Sequence, residues 1–370
     1  MQGLKTKKYI DFLVKEKGIP YLDMTVSRGY GEAFRYFADR ESRATGKETL
    51  NFFSCTKPMT VACAMRLVED GRLHLDDPVE KYLPAYADAF LLDDKGNKVA
   101  PHGKMTVKHL FTMSGGLTYN TAAPAILKQK ELGGGTVDFV NSFIKDPLAF
   151  SPGERFEYSL CHDVLAAVVE RVCGKRFSKV MEEMIFQPLD MKNTAFHVDE
   201  AALADTYCAG VDGRIEKRSS FNELIFSPEY DSGGAGVCGL GADYAKFARV
   251  LAMGGVAENG YRLLKGETVE EIKREQHSTL SVKNTFTCVQ GNDYGYGLGM
   301  RTRLVPTEWG LPVGEFGWDG AAGTYLMIDP VNKVSVVIGM HLRGWPNVFD
   351  GEHLELVRYA YEDMRAEGIL

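Results

Sequence analysis

The sequence predicts a mixed α/β protein of the α+β kind, in which a mainly antiparallel sheet is flanked by helices and a mainly helical lobe is inserted. Strand-like segments occur near both ends of the 370 residues, whereas the stretch from about 50 to 224 has helical patterning. Strands from the two ends of a chain can join in one sheet and leave the middle as an insertion. We therefore expect residues 1–370 to form a single domain, with an α/β lobe at about 1–50 and 280–370 and a mainly helical lobe at about 51–279.

Each element of this arrangement is indicated by a local pattern. Apolar residues at helical spacing predict the helices, several of which end at a glycine, and apolar runs between turn residues predict the strands. The run KVSVVIGM suits a strand buried inside a sheet. In chain order we predict a helix at 1–18, strands at 22–26 and 33–38, helices at about 61–68 and 163–172, strands at 296–301, 320–328 and 333–340, and a helix at 352–364.

The composition narrows the classes of function. The chain has 43 Lys and Arg against 50 Asp and Glu, a net charge of −7, and no basic run, so it lacks the electrostatic pattern of a nucleic-acid-binding protein. No apolar run is long enough to span a membrane, and the N-terminus lacks the apolar core and cleavage site of a signal peptide. The seven cysteines include no C-x-x-C pair, which argues against a disulfide framework or a zinc ribbon. We expect a cytoplasmic protein with reduced thiols.

The segment FFSCTKP at 52–58 is the first that indicates a catalytic site. Ser54 and Lys57 are three residues apart at the start of a predicted helix, so their side chains share a face. A serine becomes a strong nucleophile when a neighbour takes its proton, and a desolvated lysine can act as that neighbour. The backbone N–H of Ser54 at the helix start can also stabilise an oxyanion. Alone, however, S-x-x-K more often marks a helix cap and a surface lysine.

Two further segments supply companions for this pair. Tyr158, just before the second strong helix, offers a hydroxyl that can relay a proton between Lys57, Ser54 and a leaving group. The segment GWDGAAGT at 317–324 leads into a strand, and its glycines let a substrate approach the backbone closely. The N–H of Ala321 can then complete an oxyanion hole.

With these motifs in this order, the sequence resembles the serine β-lactamase and penicillin-binding-protein superfamily, and in particular the class C-like branch that includes the family VIII carboxylesterases. The S-x-x-K, Y-S-x and W-x-G motifs of that branch stand here at 54–57, 158–160 and 318–320. The resemblance covers nearly the whole chain. Further segments similar to the family lie at 110–117, 232–237 and 294–299.

The resemblance implies a β-lactamase/transpeptidase-like fold and a serine hydrolase that needs no cofactor and no metal. Ser54 would attack an ester or amide carbonyl to give an acyl-enzyme, with Lys57 as the general base and Tyr158 as the proton relay. The N–H groups of Ser54 and Ala321 would stabilise the oxyanion. The expected partner is a small-molecule ester or amide.

Two departures from the β-lactamase pattern indicate the substrate class. Leu160 stands where β-lactamases usually carry Asn, and Trp318 replaces the usual third-motif Lys, with Asp319 beside it and then Gly320. Loss of that cation and gain of a carboxylate make an anionic substrate less welcome. The family VIII esterases share these departures. We therefore expect a small neutral ester, with these four residues as substrate-binding positions.

Two alternatives stay open. The first is a different enzyme with the same fold, namely a β-lactamase or a D-alanyl-D-alanine carboxypeptidase. The second belongs to another class of function, namely a non-catalytic binding protein on the same scaffold. The sequence does not predict the oligomeric state.

Other motifs carry weaker signals. The run GAGVCG at 234–239 fits G-x-G-x-x-G, but no strand precedes it, which argues against a dinucleotide site. Cys55, beside the nucleophile, is expected to point into the core, because adjacent helical residues diverge by about 100°. Asp163 is expected to cap a helix. His341 and Arg343 face either the cleft or solvent.

Overall fold

The computed structural model describes residues 1–277, 293–345 and 351–370. The strands in chain order are β1 (Tyr21–Arg28), β2 (Gly31–Asp39), β3 (Leu50–Asn51), β4 (Leu91–Leu92), β5 (Lys98–Val99), β6 (Ala195–Phe196), β7 (Thr206–Ala209), β8 (Ile215–Arg218), β9 (Val237–Gly239), β10 (Tyr294–Tyr296), β11 (Arg301–Arg303), β12 (Phe316–Asp319), β13 (Tyr325–Asp329), β14 (Val334–Gly339) and β15 (Leu342–Arg343). The α-helices are α1 (Leu4–Lys15), α2 (Lys57–Glu69), α3 (Val107–Phe111), α4 (Pro124–Leu132), α5 (Thr136–Phe143), α6 (Cys161–Cys173), α7 (Phe177–Met181), α8 (Gly241–Ala252), α9 (Gly266–Lys273) and α10 (His353–Ala366).

The main sheet joins the two ends of the chain, as predicted. Within the described ranges it has seven strands in the order β10-β11-β12-β13-β14-β1-β2, and every neighbouring pair is antiparallel. The link between the two ends is the pairing of β1 with β14, where Asp23 lies opposite Gly339. All residues of β14 are buried, which confirms the prediction of a buried strand at 333–340. The predicted mixed fold class, mainly antiparallel with flanking helices, is confirmed.

The sheet separates two hydrophobic cores. Side chains alternate between the faces of a strand, and in β14 Val337 belongs to the larger core whereas Ile338 belongs to the smaller one. The smaller core is completed by α1 and α10, through residues such as Leu13 and Leu356. The larger core contains α2, α6 and α8 and includes Trp318 of β12. Burial of this apolar surface is the main favourable contribution to folding, and it places α2 against one face of the sheet.

Two predicted strands were wrong in part, because glycines form turns within them. The strand predicted at 296–301 is divided between β10 and β11, and Gly297 N–H donates to Met300 O at 2.8 Å to close the turn between them. The strand predicted at 320–328 begins only at β13. Before it the chain turns, with Gly323 at φ 77°, a left-handed conformation that glycine adopts readily.

The stretch expected to be helical also contains the short strands β3 to β8, which the sequence pattern did not indicate. The predicted boundary between the two lobes, at 279 and 280, and Cys288 lie outside the described residues. The six cysteines of the described ranges are free thiols.

The described residues contain neither a membrane-spanning helix nor a cluster of metal-binding side chains. Among the helices in these ranges, none is both long enough and apolar enough to cross a membrane. The same ranges contain no group of three or more His, Cys, Asp or Glu side chains that could hold a metal ion.

Candidate active site

The candidate nucleophile lies where β3 leads into α2. The chain makes a 3₁₀ turn at Phe53–Thr56, and α2 begins at Lys57. Phe53 has φ 45°, a left-handed conformation that is strained for a bulky side chain. Ser54 follows directly and is 8% exposed, whereas Lys57 is fully buried. This strained turn therefore holds the serine against a lysine that is shielded from water.

Lys57 and Tyr158 both reach the Oγ atom of Ser54. Lys57 Nζ donates to Ser54 Oγ at 3.1 Å and to the backbone oxygen of Gly234 at 2.9 Å. The Tyr158 hydroxyl donates to the same Oγ at 2.6 Å, and its ring centre lies 4.7 Å from Lys57 Nζ. Ser54, Lys57 and the distant Tyr158 thus form one hydrogen-bonded unit through which a proton can pass.

Asp163 supports the lysine rather than capping α6, so the expected capping role was wrong. Its side chain lies in the first turn of α6, and no side-chain cap bond is made there. The buried carboxylate accepts from the Tyr230 hydroxyl at 2.8 Å, from Ser232 Oγ at 2.6 Å and from the N–H of Gly234 at 3.3 Å. Asp163 therefore fixes the segment whose carbonyl oxygen accepts from Lys57.

The glycine at the start of the 234–239 pattern is explained by this packing. A Cβ atom on Gly234 would lie 2.6 Å from Asp163 Oδ2 and 3.4 Å from Lys57 Nζ. A larger residue would therefore displace the carboxylate. The pattern then enters β9, which pairs with β3 just before the nucleophile.

The W-x-G motif at 318–320 lies directly beside the unit formed by Ser54, Lys57 and Tyr158. The indole Nε1 of Trp318 donates to the Tyr158 hydroxyl at 3.4 Å, and the two ring centres are 5.6 Å apart. Gly320 packs so closely on the turn before Ser54 that a Cβ there would lie 2.4 Å from the backbone oxygen of Phe52. Trp318 thus brings an uncharged donor to the place where β-lactamases usually carry a lysine.

Cys55 points into the core, as the helical geometry predicted. Its side chain is fully buried, and its Sγ donates to the backbone oxygens of Trp318 at 3.5 Å and Thr324 at 3.6 Å. Burial raises the pKa of the Cys55 thiol well above its usual value. Because the thiolate is the nucleophilic form, Cys55 is a poor competitor of Ser54.

The Asp319 carboxylate does not lie on the same face of the sheet as Trp318, and its expected effect on an anionic substrate stays a prediction. Trp318 and Asp319 are consecutive in β12, so their side chains point to opposite faces of the sheet. Asp319 Oδ2 pairs with Arg301 Nη1 at 3.2 Å. Its charge is therefore compensated on the face away from the nucleophile. Leu160 is buried in the larger core, and its role in substrate binding stays a prediction.

Tyr119 is a site residue that the sequence did not reveal. Its ring stacks on that of Tyr158, with centres 5.3 Å apart and planes 14° from parallel, and Lys57 Nζ lies 5.5 Å from its centre. Burial raises the pKa of Tyr119 well above its usual value, the nearby Tyr158 and Asp163 add to this rise, and a hydrogen bond with Ser54 opposes it. Its place two residues after the family-like segment at 110–117 was the available signal.

His341 does not face the cleft. It is buried at the end of β14, where its Nδ1 lies 3.0 Å from the backbone oxygen of Asp205. Its Nε2 accepts from the N–H of Asn51, in β3, at 3.2 Å. His341 therefore ties the strand before the nucleophile to the end of the main sheet. Arg343 is half-buried and pairs with Glu223, and its guanidinium lies 5.3 Å from the centre of the Phe53 ring.

The burial of His341 predicts a loss of stability in acid. Burial lowers its pKa from 6.5 to about 4, so between these values the unfolded chain binds a proton that the folded chain does not. The stabilisation is thus complete above pH 6.5 and is lost as the pH falls towards 4. Linkage gives a loss of at most about 3 kcal/mol in the free energy of unfolding. Denaturant titrations from pH 4 to 7 should show a shallower pH dependence for His341→Asn. Asparagine is chosen because residue 341 has φ 51°, a left-handed conformation that asparagine tolerates.

The matched control is His74→Asn, since His74 is exposed and its replacement should leave the pH dependence unchanged. Parallel profiles for the wild type and His341→Asn would contradict the expectation. Two other buried histidines, His162 with a pKa of about 3 and His277 with a pKa of about 4, keep part of the acid sensitivity in either variant.

Comparisons with known proteins agree with this geometry. The model of the Beta-lactamase family matches residues 7–359, and the chain belongs to that family. Esterase EstB of Burkholderia gladioli is 28% identical over 331 residues, which cover 81% of this chain and 80% of the esterase. A putative D-alanyl-D-alanine carboxypeptidase of Escherichia coli strain K12 is 24% identical over 394 residues, which cover 94% of this chain and 83% of that protein.

Among solved structures, the chain is similar in fold to EstCE1, described as a hydrolase with promiscuous acyltransferase activity. The TM-score is 0.78 at 23% sequence identity, and the match covers 97% of each chain. The family match over residues 7–359 confirms the sequence resemblance to the β-lactamase and penicillin-binding-protein superfamily, and the structural likeness agrees with its fold.

Proposed function

We propose that this chain is a serine hydrolase that acts through an acyl-enzyme on small neutral esters. The observation that carries the proposal is the meeting of two proton-transfer groups at one hydroxyl: Lys57 Nζ at 3.1 Å and the Tyr158 hydroxyl at 2.6 Å from Ser54 Oγ. These distances lie within the reach that general acid–base catalysis requires. The esterase name of the Burkholderia relative supports the same activity.

The reaction proceeds in two halves. Ser54 Oγ attacks the ester carbonyl while its proton passes to Lys57, and the N–H groups of Ser54 and Ala321 stabilise the oxyanion. The proton then moves through the Tyr158 hydroxyl to the leaving alcohol as the carbonyl–oxygen bond breaks. In the second half, water gives up a proton to the same groups and attacks the acyl-enzyme, which releases the acid and restores Ser54. No step of this sequence needs a metal or a cofactor.

The preference for neutral esters rests on Trp318. The indole is 2% exposed and packs on Tyr158 and on Tyr296, with ring centres 5.6 and 5.3 Å apart. An aromatic wall suits a short uncharged group, whereas a β-lactam brings a carboxylate close to the scissile bond. The carboxypeptidase name of the Escherichia coli relative keeps a peptidase or β-lactamase as the second candidate.

A direct comparison of substrates tests this choice. We expect kcat/KM to be much higher for a short p-nitrophenyl ester than for a chromogenic cephalosporin. Trp318→Lys should shift the ratio towards the cephalosporin, because one charge contact is worth about 1.5–3 kcal/mol, or roughly ten- to 150-fold. Trp318→Phe is the matched control, since it removes the indole without adding a charge. A wild type that already prefers the cephalosporin would contradict the esterase proposal.

Three broader expectations belong to the same proposal. The chain acts as one domain of two lobes, with the cleft between them, which is where small-molecule sites commonly lie. It works in the cytoplasm, an expectation that rests on a sequence with no C-x-x-C pair and no pattern of a disulfide framework. Its partner is the substrate, with neither nucleic acid nor membrane involved. If the chain is instead a binding protein, Ser54 will not react with a covalent serine probe.

A further inference from the structure

We propose that Asp319 is a positioning residue for the oxyanion turn, which we define as residues 320–323. The inference rests on the proposed function, because the turn matters only if the N–H of Ala321 stabilises the oxyanion. In this proposal Asp319 does not act on the substrate through its charge. It holds the turn in position from the opposite face of the sheet.

Asp319 is fixed by a buried arginine. Arg301 is fully buried and donates to Asp319 Oδ2 at 3.2 Å and to the backbone oxygen of Leu326, on β13, at 3.0 Å. Glu315 is a second buried carboxylate beside the same guanidinium, at 3.4 Å. Burial opposes the charge of Arg301, but Asp319, Tyr325 and Glu315 together raise its pKa above the usual value. The end of β12 is therefore held to both neighbouring strands.

The turn that follows is held at both ends. Gly320 N–H donates to the backbone oxygen of Thr324 at 2.7 Å. His353, at the start of α10, lies with Nε2 3.1 Å from the backbone oxygen of Gly323 and with Nδ1 3.6 Å from Asp319 Oδ1. One histidine thus contacts both the residue before the turn and its last residue.

The opposite side of the turn faces the nucleophile. Gly320 lies so close to Phe52 that a Cβ would be 2.4 Å from its backbone oxygen, and Phe52 is two residues before Ser54. The turn therefore packs against the segment that contains Ser54 on one side and against the ion pair of Arg301 and Asp319 on the other. A shift of that ion pair would move Ala321 relative to Ser54, and a misplacement of about 1 Å at a reacting centre costs about a hundredfold in rate.

The test compares isosteric replacements of the two carboxylates, Asp319 and Glu315, that contact Arg301. Asp319→Asn should lower kcat for a short p-nitrophenyl ester about a hundredfold and leave KM within about threefold, because the turn acts on the transition state. Its affinity for a boronic acid, which forms a tetrahedral adduct, should fall in parallel. Glu315→Gln removes the other carboxylate of Arg301 but not the support of the turn, so kcat should stay within about threefold. Equal losses of kcat in the two variants, in step with their melting temperatures, would overturn the proposal.

A second variant decides the question if Asp319→Asn does not fold. His353→Phe keeps a ring against Tyr325, whose ring centre is 4.5 Å away, and removes the contact with Gly323. Its kcat should fall about tenfold or more, and an unchanged kcat would count against the positioning role. Failure of the proposed function is distinguishable: the wild type would then hydrolyse no ester. In that case the rate at which a fluorophosphonate labels Ser54 in the same variants tests the position of the turn.

Discussion

Replacement of Ser54 by alanine should abolish ester hydrolysis while the protein stays folded. The side chain is small, and the change removes the atom at which Lys57 Nζ and the Tyr158 hydroxyl meet, at 3.1 and 2.6 Å. We expect a fall in kcat of at least about 10⁴-fold, the scale seen when a nucleophile is deleted. Initial rates with a short p-nitrophenyl ester and a thermal unfolding curve, measured on the same preparation, check both halves of the expectation.

The matched control is Cys55→Ala, at the neighbouring position. The Cys55 thiol is fully buried and contacts the backbone of Trp318 and Thr324, so its loss should lower stability more than activity. If Cys55→Ala were inactive and Ser54→Ala retained wild-type rates, the assignment of the nucleophile would be wrong.

Lys57→Ala and Tyr158→Phe should each lower kcat about a hundredfold or more, the usual effect of losing a proton-transfer group. Tyr158→Phe keeps the ring, which packs against Tyr119 and Trp318, and removes only the hydroxyl. Lys57→Ala also removes a fully buried side chain that is bonded to the backbone oxygen of Gly234, so its melting temperature must be measured alongside its rates. The readout is kcat and KM for each variant with one short ester.

The double variant gives the sharper result. Groups that act as one unit lose activity non-additively, so Lys57→Ala combined with Tyr158→Phe should be hardly slower than the worse single variant. If the two losses multiplied, the lysine and the tyrosine would act in separate steps, and the shared role that the hydrogen bonds to Ser54 suggest would not hold.

The sequence predicted those features that depend on short spacing or on a familiar order of motifs. Ser54 and Lys57 share a helical face because they are three residues apart, and residues 334–339 of the predicted strand at 333–340 form β14 and are buried on both faces of the sheet. The family was predictable because its motifs occur in order along nearly the whole chain. The roles of Ser54, Lys57 and Tyr158 stay proposals that the geometry supports.

The features that were missed depend on contacts between distant segments. Asp163 seemed a helix cap from its local position, but its partners are Tyr230 and Ser232, nearly 70 residues further on. Asp319 seemed to face a substrate because it is next to Trp318. Because successive side chains of a strand alternate between its faces, Asp319 points to the opposite face, where it pairs with Arg301 of the neighbouring strand. The partners of Asp163 and Asp319 cannot be predicted from the residues next to them in the sequence.

The measurement that tests the central claim most directly is the intact mass of the protein after exposure to a fluorophosphonate probe. We predict one adduct on the wild-type chain, located at Ser54 by peptide mapping. Tyr158→Phe should react more slowly, and Ser54→Ala should gain no mass. A wild-type protein that gains no mass, or that carries the adduct at another residue while Ser54 stays unmodified, would contradict the central claim.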